Sequence, residues 1–174
     1  MQERSKVTGK LPVHGSRSDR DAATHVIRVD GLVGKQLELT LADLERLPQQ
    51  DMTDDFTCLE GWTVPGVRWR GVPLKAVLSA AKPLAEARYV QVAAGKFSIS
   101  LPWEATERAL LATRLSDGAL PPEHGGPVRL VVPGGECFSS VKWVDRVEVR
   151  AEPGADTARE IALGRLPSTG SDKG

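Results

Sequence analysis

Cys58 lies in the run Asp54-Asp55-Phe56-Thr57-Cys58-Leu59-Glu60-Gly61-Trp62, far upstream of His124-Gly125-Gly126-Pro127-Val128-Arg129 and of Ser140-Val141-Lys142-Trp143. A thiolate is a soft ligand, suited to a metal. A histidine, an arginine and a lysine brought together suit an anionic group. Neither half says much alone. Their order, soft ligand first and cationic set later, is the most informative feature of the chain.

Three readings of Cys58 compete. An isolated free cysteine is most often a small buried hydrophobe. A nucleophile would want a Cys-His motif, which the local sequence lacks. A metal ligand is the third reading, and the later cationic residues favour it. In that reading Phe56 and Trp62 wall the site against water, and Glu60 brings a carboxylate near the metal. The bland reading of Glu60 is a solvated loop acid.

In the second run, Gly125 and Gly126 allow a tight turn and a close approach of backbone to ligand. Pro127 stiffens the entry to a strand. Arg129 offers a planar fork that matches phosphate. A plain loop with a satisfied histidine and a surface arginine is an equal reading without Cys58 upstream. In the third run, Gly134 to Trp143, glycine- and serine-rich backbone can form an anion-binding nest. Lys142 adds a point charge and Ser139 or Ser140 a hydroxyl, while Trp143 reads as core. A β-turn followed by an amphipathic strand explains the same residues.

The elements that must position these groups are mixed. His25 to Val29 alternates and ends at Asp30-Gly31, a strand and turn. Gln36 to Leu39 alternates too. Thr40-Leu41-Ala42-Asp43 fits a capping box, and Leu41, Leu44 and Leu47 keep helical spacing until Pro48. Phe56 to Cys58 reads as a short strand feeding a loop. Leu74, Val77, Leu78 and Ala81 share one face of a helix ended by Pro83. Arg88–Val92 and Lys96–Ser100 are strands around a Gly95 turn. Pro102 to Thr113 reads as a helix with proline in its first turn. Val128–Val132 and Val144–Val149 are strands. Helices and strands interleave without βαβ spacing, so the class is α+β.

The domain is expected to run over residues 25–151, with a polar N-terminal arm at 1–24 and a C-terminal tail at 152–174. The patch Ile161-Ala162-Leu163 in that tail is a candidate for docking on the body. Hydrophobic and charged fractions of 40% and 26% are ordinary for a globular chain of 174 residues. Lys+Arg and Asp+Glu both number 23. No global basic field recruits nucleic acid, and no apolar run approaches a transmembrane segment. The N-terminus has no apolar stretch of the secretory kind, so the expected compartment is the cytoplasm. Two isolated cysteines support neither a disulfide framework nor a zinc site.

Taken in order, these residues resemble the sulfite-oxidase-type family of oxidoreductase molybdopterin-binding domains. The resemblance runs from Cys58 and Glu60-Gly61-Trp62 through Trp69-Arg70-Gly71-Val72-Pro73-Leu74 and the Tyr89-Val90 strand. It continues over Leu111-Ala112 and Asp117-Gly118 to the His124 and Ser140 runs, spanning most of the chain. It implies mixed sheets with short helices and long loops, and a molybdenum-molybdopterin cofactor. It makes Cys58 the metal ligand, and the position of Glu60, two residues on, adds it to Cys58 as a catalytic candidate. Phe56, Cys58, His124, Arg129, Ser139, Ser140 and Lys142 become cofactor contacts.

The implied reaction is two-electron oxygen-atom transfer on a small molecule, with a separate electron-transfer protein as partner. The chain resembles the compact prokaryotic members, without haem or dimerisation domain. Its single tyrosine, Tyr89, sits in an expected strand, so the active-site tyrosine of sulfite oxidases has no counterpart. Reduction of an S-oxide or N-oxide is therefore slightly favoured over sulfite oxidation, for which Arg68 and Arg70 would have to form an anion pocket. A metal-free binding module on the same fold and a thiol enzyme using Cys58 are the alternatives from other classes.

Overall fold

The structure, a computed structural model, describes Leu11 and residues 21–57, 61–135 and 137–164. Cys58 and Glu60 lie outside the described residues. Alternating apolar residues build the first sheet from β1 (Val26–Gly31), β2 (Leu37–Thr40), β5 (Tyr89–Ala94), β6 (Phe97–Pro102) and β10 (Arg146–Arg150), in the order β2-β1-β10-β5-β6. β10 runs parallel to β1 and the other pairs are antiparallel. The second sheet contains β3 (Gln50–Thr57), β4 (Thr63–Pro73), β7 (Leu110–Leu115), β8 (Gly118–Ala119) and β9 (Arg129–Val131), in the order β3-β4-β7-β8 with β9 also paired to β7.

Helix α1 (Leu41–Arg46) starts at the expected capping box. Asp43 N donates to Thr40 Oγ1 at 3.2 Å, and Thr40 N donates to Asp43 Oδ2 at 2.9 Å. Helix α2 (Leu74–Ala81) buries Leu74, Val77, Leu78 and Ala81, the face its spacing defined. It closes at Lys82 in the left-handed conformation, just before Pro83. These residues pack with Ile27, Val29, Val90, Val92, Val147 and Val149 of the first sheet in the main core. Each fully buried Leu or Val contributes about 1.5–3 kcal/mol. The opposite side of that sheet is a ladder of ion pairs, including Arg146–Asp30 at 3.1 Å and Arg150–Glu148 at 3.3 Å. A smaller second core, centred on Val67, Trp69, Leu110, Ala112 and Leu115, lies on the inner face of the second sheet.

Four expectations are corrected. The helix expected over Pro102–Thr113 is a short 3-10 turn, Trp103–Glu107, followed by strand β7. Leu110, Leu111, Ala112 and Thr113 are all buried, and β7 pairs with three neighbours. An apolar run buried on both faces has no period to separate strand from helix. β3 is longer than Phe56–Cys58 suggested, and β4 was hidden by Pro65, Gly66 and Gly71. Gly71 is needed inside a strand because a Cβ there would lie 2.0 Å from Leu111 O. In the tail, helix α3 (Thr157–Gly164) docks through buried Ala158 rather than through Ile161 and Leu163, which stay 42% and 48% exposed. Ser98 N donates to Thr157 Oγ1 at 2.8 Å and fixes its start. Trp143 is half-buried rather than core, its indole N–H donating to Pro122 O at 2.8 Å.

Candidate active site

Period-2 alternation in β3 turns Met52, Asp54 and Phe56 to the inner side, where each is half-buried. In sequence, Cys58 directly follows the last residue of β3, Thr57. On β4, Trp69 points inward and is 2% exposed, between outward-facing Arg68 and Arg70. Arg129, first residue of β9, enters the same space and is only 4% exposed. Its guanidinium lies over Phe56 at 5.0 Å and over Trp69 at 5.3 Å from the ring centroids. Phe56 in turn stacks on Trp62 at 5.9 Å. Phe56 and Trp69 line the adjoining pocket, and Trp62 is not among its lining residues.

Arg129 forms no ion pair with a carboxylate among the described residues. Its Nη1 donates to His124 O at 2.9 Å, and its Nε is buried without a partner. Burial pulls its pKa below the ordinary arginine value to about 10, the nearby Cys137 thiol acting in the opposite sense. It therefore stays charged at neutral pH. A buried cation without a counter-charge costs several kcal/mol unless an anion arrives.

His124 ends a 3-10 turn, Pro122–His124, and is 4% exposed. Gly125 follows at φ 104, a conformation that favours glycine. A Cβ there would lie 2.9 Å from Lys142 Cγ and 3.2 Å from Arg129 Cδ, so the two cationic stems converge on this glycine. The segment carrying Lys142 is laid alongside β9 by Leu130 N to Val141 O and Val144 N to Val128 O, each 2.9 Å. Lys142 Nζ donates to Glu123 O at 3.1 Å. Desolvation lowers the Lys142 pKa from 10.5 to about 8, the charge of Arg129 adding to the effect and Glu123 opposing it. Arg129 and Lys142 are thus a cationic pair around Gly125, with the His124 carbonyl accepting from Arg129.

A small pocket lies beside it, lined by Asp54, Asp55, Phe56, Thr57, Trp69, Val131, Val132, Gly135, Cys137 and Ser140. Ser140 is 8% exposed and reaches the pocket. Ser139, in the 3-10 turn Cys137–Ser139, is half-buried and is not among the lining residues. Cys137 is part of the wall.

Arg68 and Arg70 do not form an anion pocket here. They face away from Trp69 and pair with Asp117 at 3.2 Å and Asp51 at 2.8 Å. The sequence reading overlooked Asp54. The signal was its two-residue spacing from Phe56, which puts both on one face of β3.

The unpartnered Arg129 Nε, the Lys142 ammonium and the glycine cradle at Gly125 have the chemistry that would suit an anionic group such as the phosphate end of a pterin cofactor. Residues 14–158 match the oxidoreductase molybdopterin binding domain. The catalytic subunit MsrP of a protein-methionine-sulfoxide reductase from Campylobacter jejuni is 29% identical over 156 residues, covering 78% of this chain and 52% of that protein. The chain thus spans about half the length of that relative. The uncharacterized oxidoreductase YuiH of Bacillus subtilis is 29% identical over 148 residues, covering 83% and 72%. Among solved structures, the sulfane dehydrogenase SoxCD of Paracoccus pantotrophus superposes with a TM-score of 0.73 at 28% identity, covering 80% of this chain and 41% of that one. The fold is the sulfite-oxidase type, and the chain belongs to the oxidoreductase molybdopterin-binding domain family.

Proposed function

We propose that this chain is a molybdenum-pterin oxidoreductase that transfers an oxygen atom to or from a small molecule, with reduction of an S-oxide or N-oxide favoured. The observation that carries the reading is Arg129. A buried guanidinium, unpaired with any described carboxylate and with Nε unsatisfied, flanks a pocket whose wall runs in sequence into Cys58. The bound cofactor supplies two-electron redox chemistry and exchange of an oxygen atom.

The protein's part is binding, orientation and exclusion of water. Arg129 and Lys142 neutralise the phosphate, and His124 fixes Arg129 through its carbonyl. Ser140 offers a hydroxyl to the cofactor at the pocket wall, and Ser139 precedes it at the end of the turn Cys137–Ser139. Phe56 and Trp69 cover the guanidinium, keeping water from the charge and strengthening its field. Cys58 is the metal's protein ligand and Glu60 a nearby carboxylate in this reading.

Reduction of an S-oxide consumes two electrons and two protons and releases a sulfide and water. The electrons come from a separate electron-transfer protein. MsrP, named as a methionine-sulfoxide reductase subunit, supports this direction. Placement in the cytoplasm belongs to the same proposal and is tested by cell fractionation. Among the described residues no helix is long and apolar enough to cross a membrane.

The test is a steady-state assay of metal-loaded protein. A reduced dye with S- and N-oxides probes one direction, and an oxidised dye with sulfite probes the other. Turnover of the oxides is expected. Efficient sulfite oxidation with none of the oxides turned over would overturn the favoured direction. Loaded protein inert in both assays would leave a binding module instead.

A further inference from the structure

We propose that Trp143 is a positioning residue for the cationic pair: it braces the turn whose carbonyls hold Arg129 and Lys142, and so sets how the two charges meet an anion. This rests on the cofactor reading above and extends it to an uncharged residue. Four successive carbonyls, from Pro122 to Gly125, all accept from the later cationic segments. Glu123 O accepts from Lys142 Nζ at 3.1 Å and His124 O from Arg129 Nη1 at 2.9 Å. The two outer carbonyls go to Trp143. Pro122 O accepts from its indole N–H at 2.8 Å, and Gly125 O from its backbone N–H at 3.0 Å. The middle of the turn holds the cations, and Trp143 holds both ends of the turn.

Trp143 makes these bonds from a backbone that bulky side chains avoid. Its φ is 56, in the left-handed region. Such strain persists only where the surroundings over-determine it, and it concentrates at functional sites. The neighbours supply that constraint. Val144 N donates to Val128 O at 2.9 Å, and Val144 O accepts from the buried His25 Nε2 at 2.6 Å. On the other side, Val141 O accepts from Leu130 N at 2.9 Å. Lys142 Nζ also lies over the Trp143 ring, 5.6 Å from its centroid, where a ring face attracts a cation. Trp143 is half-buried and, among the described residues, belongs to neither core. Packing alone therefore does not account for a tryptophan at a strained position.

The experiment compares wild type with Trp143→Phe, Trp143→Ala and Trp143→Gly, each purified from a host that makes the cofactor. Molybdenum and pterin per folded chain are measured beside the urea midpoint of the cofactor-free protein. Glycine takes a φ of 56 without strain and alanine does not, so the glycine variant should be the more stable of the two. Both lack the indole, so both should carry roughly fivefold less cofactor than wild type, the scale of one lost hydrogen bond. Phenylalanine keeps a ring beneath Lys142 but loses the bond to Pro122 O, so its cofactor content should fall between. A second readout needs no cofactor. Inorganic pyrophosphate at constant ionic strength should raise the Tm of cofactor-free wild type, and raise it less in the alanine and glycine variants.

Cofactor content that follows the urea midpoint, with glycine well above alanine, would make Trp143 a merely structural residue and overturn the proposal. So would wild-type cofactor content in both variants. If the wild type carries no cofactor, the cofactor reading falls and the pyrophosphate shift decides the positioning role. An equal shift in all four proteins, or none in wild type, then overturns it.

Discussion

Arg129 Nη1 donates to the main-chain carbonyl of His124 at 2.9 Å, and the same guanidinium leaves Nε unpaired in the protein interior. One end of the group is tied to the backbone turn that precedes Gly125. Among the described residues no carboxylate pairs with the group. Tension between folding and binding follows, because the charge costs stability until the anion is bound.

Arg129→Met is therefore expected to separate the two. Cofactor-free protein should be stabilised, or at worst unchanged, by about 1–4 kcal/mol in thermal or denaturant unfolding. Cofactor affinity should fall by about 1.5–3 kcal/mol with the loss of a charge-assisted contact. Parallel loss of both stability and cofactor would show that Arg129 is a structural residue. Full occupancy with collapsed turnover per metal would move it to the substrate site.

Lys142 gives the cofactor-free protein a distinct pH dependence. Its folded pKa of about 8 lies below its ordinary 10.5. Between these values the unfolded chain holds a proton that the folded chain has released, so stability rises with pH across that window. Below about pH 8 both states are charged and the desolvation cost is felt in full. Lys142→Met should remove this rise, measured as the pH dependence of the urea midpoint. Cofactor binding has the opposite sign, weakening as Lys142 loses its charge above pH 8. Identical pH profiles for wild type and variant would reject the assignment.

Gly125→Ala should lower stability and cofactor retention together. Its φ of 104 strains an alanine, and the new Cβ would lie 2.9 Å from Lys142 Cγ. A cost of about 1–3 kcal/mol is expected from such backbone strain. A neutral effect on both Tm and pterin content would show that the cradle is not needed.

The outward arginines should be dispensable. Arg68→Ala and Arg70→Ala each remove an exposed ion pair, expected to contribute about 0–1 kcal/mol. Oxide turnover should be retained. A specific loss of sulfite oxidation in either variant would return these residues to an anion pocket.

The two cysteines should behave differently. Cys58→Ser is expected to fold and lose oxygen-atom transfer, because a hard hydroxyl does not replace a soft thiolate. Cys137→Ser should keep most activity despite its place in the pocket wall. Comparable losses in both variants would mean that the thiols act together.

Much of this arrangement was legible in the sequence where a single local rule operates. The Thr40–Asp43 box and the spacing of Leu74, Val77, Leu78 and Ala81 specify their helices without tertiary help. The ordered motifs drew attention to Arg129 and Lys142, which the fold brings together around Gly125. Strand β7 was not legible, because burial on both faces erases alternation at Leu110–Thr113. β4 was obscured by Gly71, whose need arises from Leu111, far away in sequence. Asp54 was missed because a carboxylate announces nothing until the fold sets it beside Phe56 and Gly134.

The most direct measurement is the molybdenum and pterin content of the protein purified from a host that makes the cofactor. The account predicts stoichiometric molybdenum and pterin in the wild type, with both reduced in Arg129→Ala. Folded wild-type protein that carries neither, from a host that loads a control molybdenum enzyme, would contradict it.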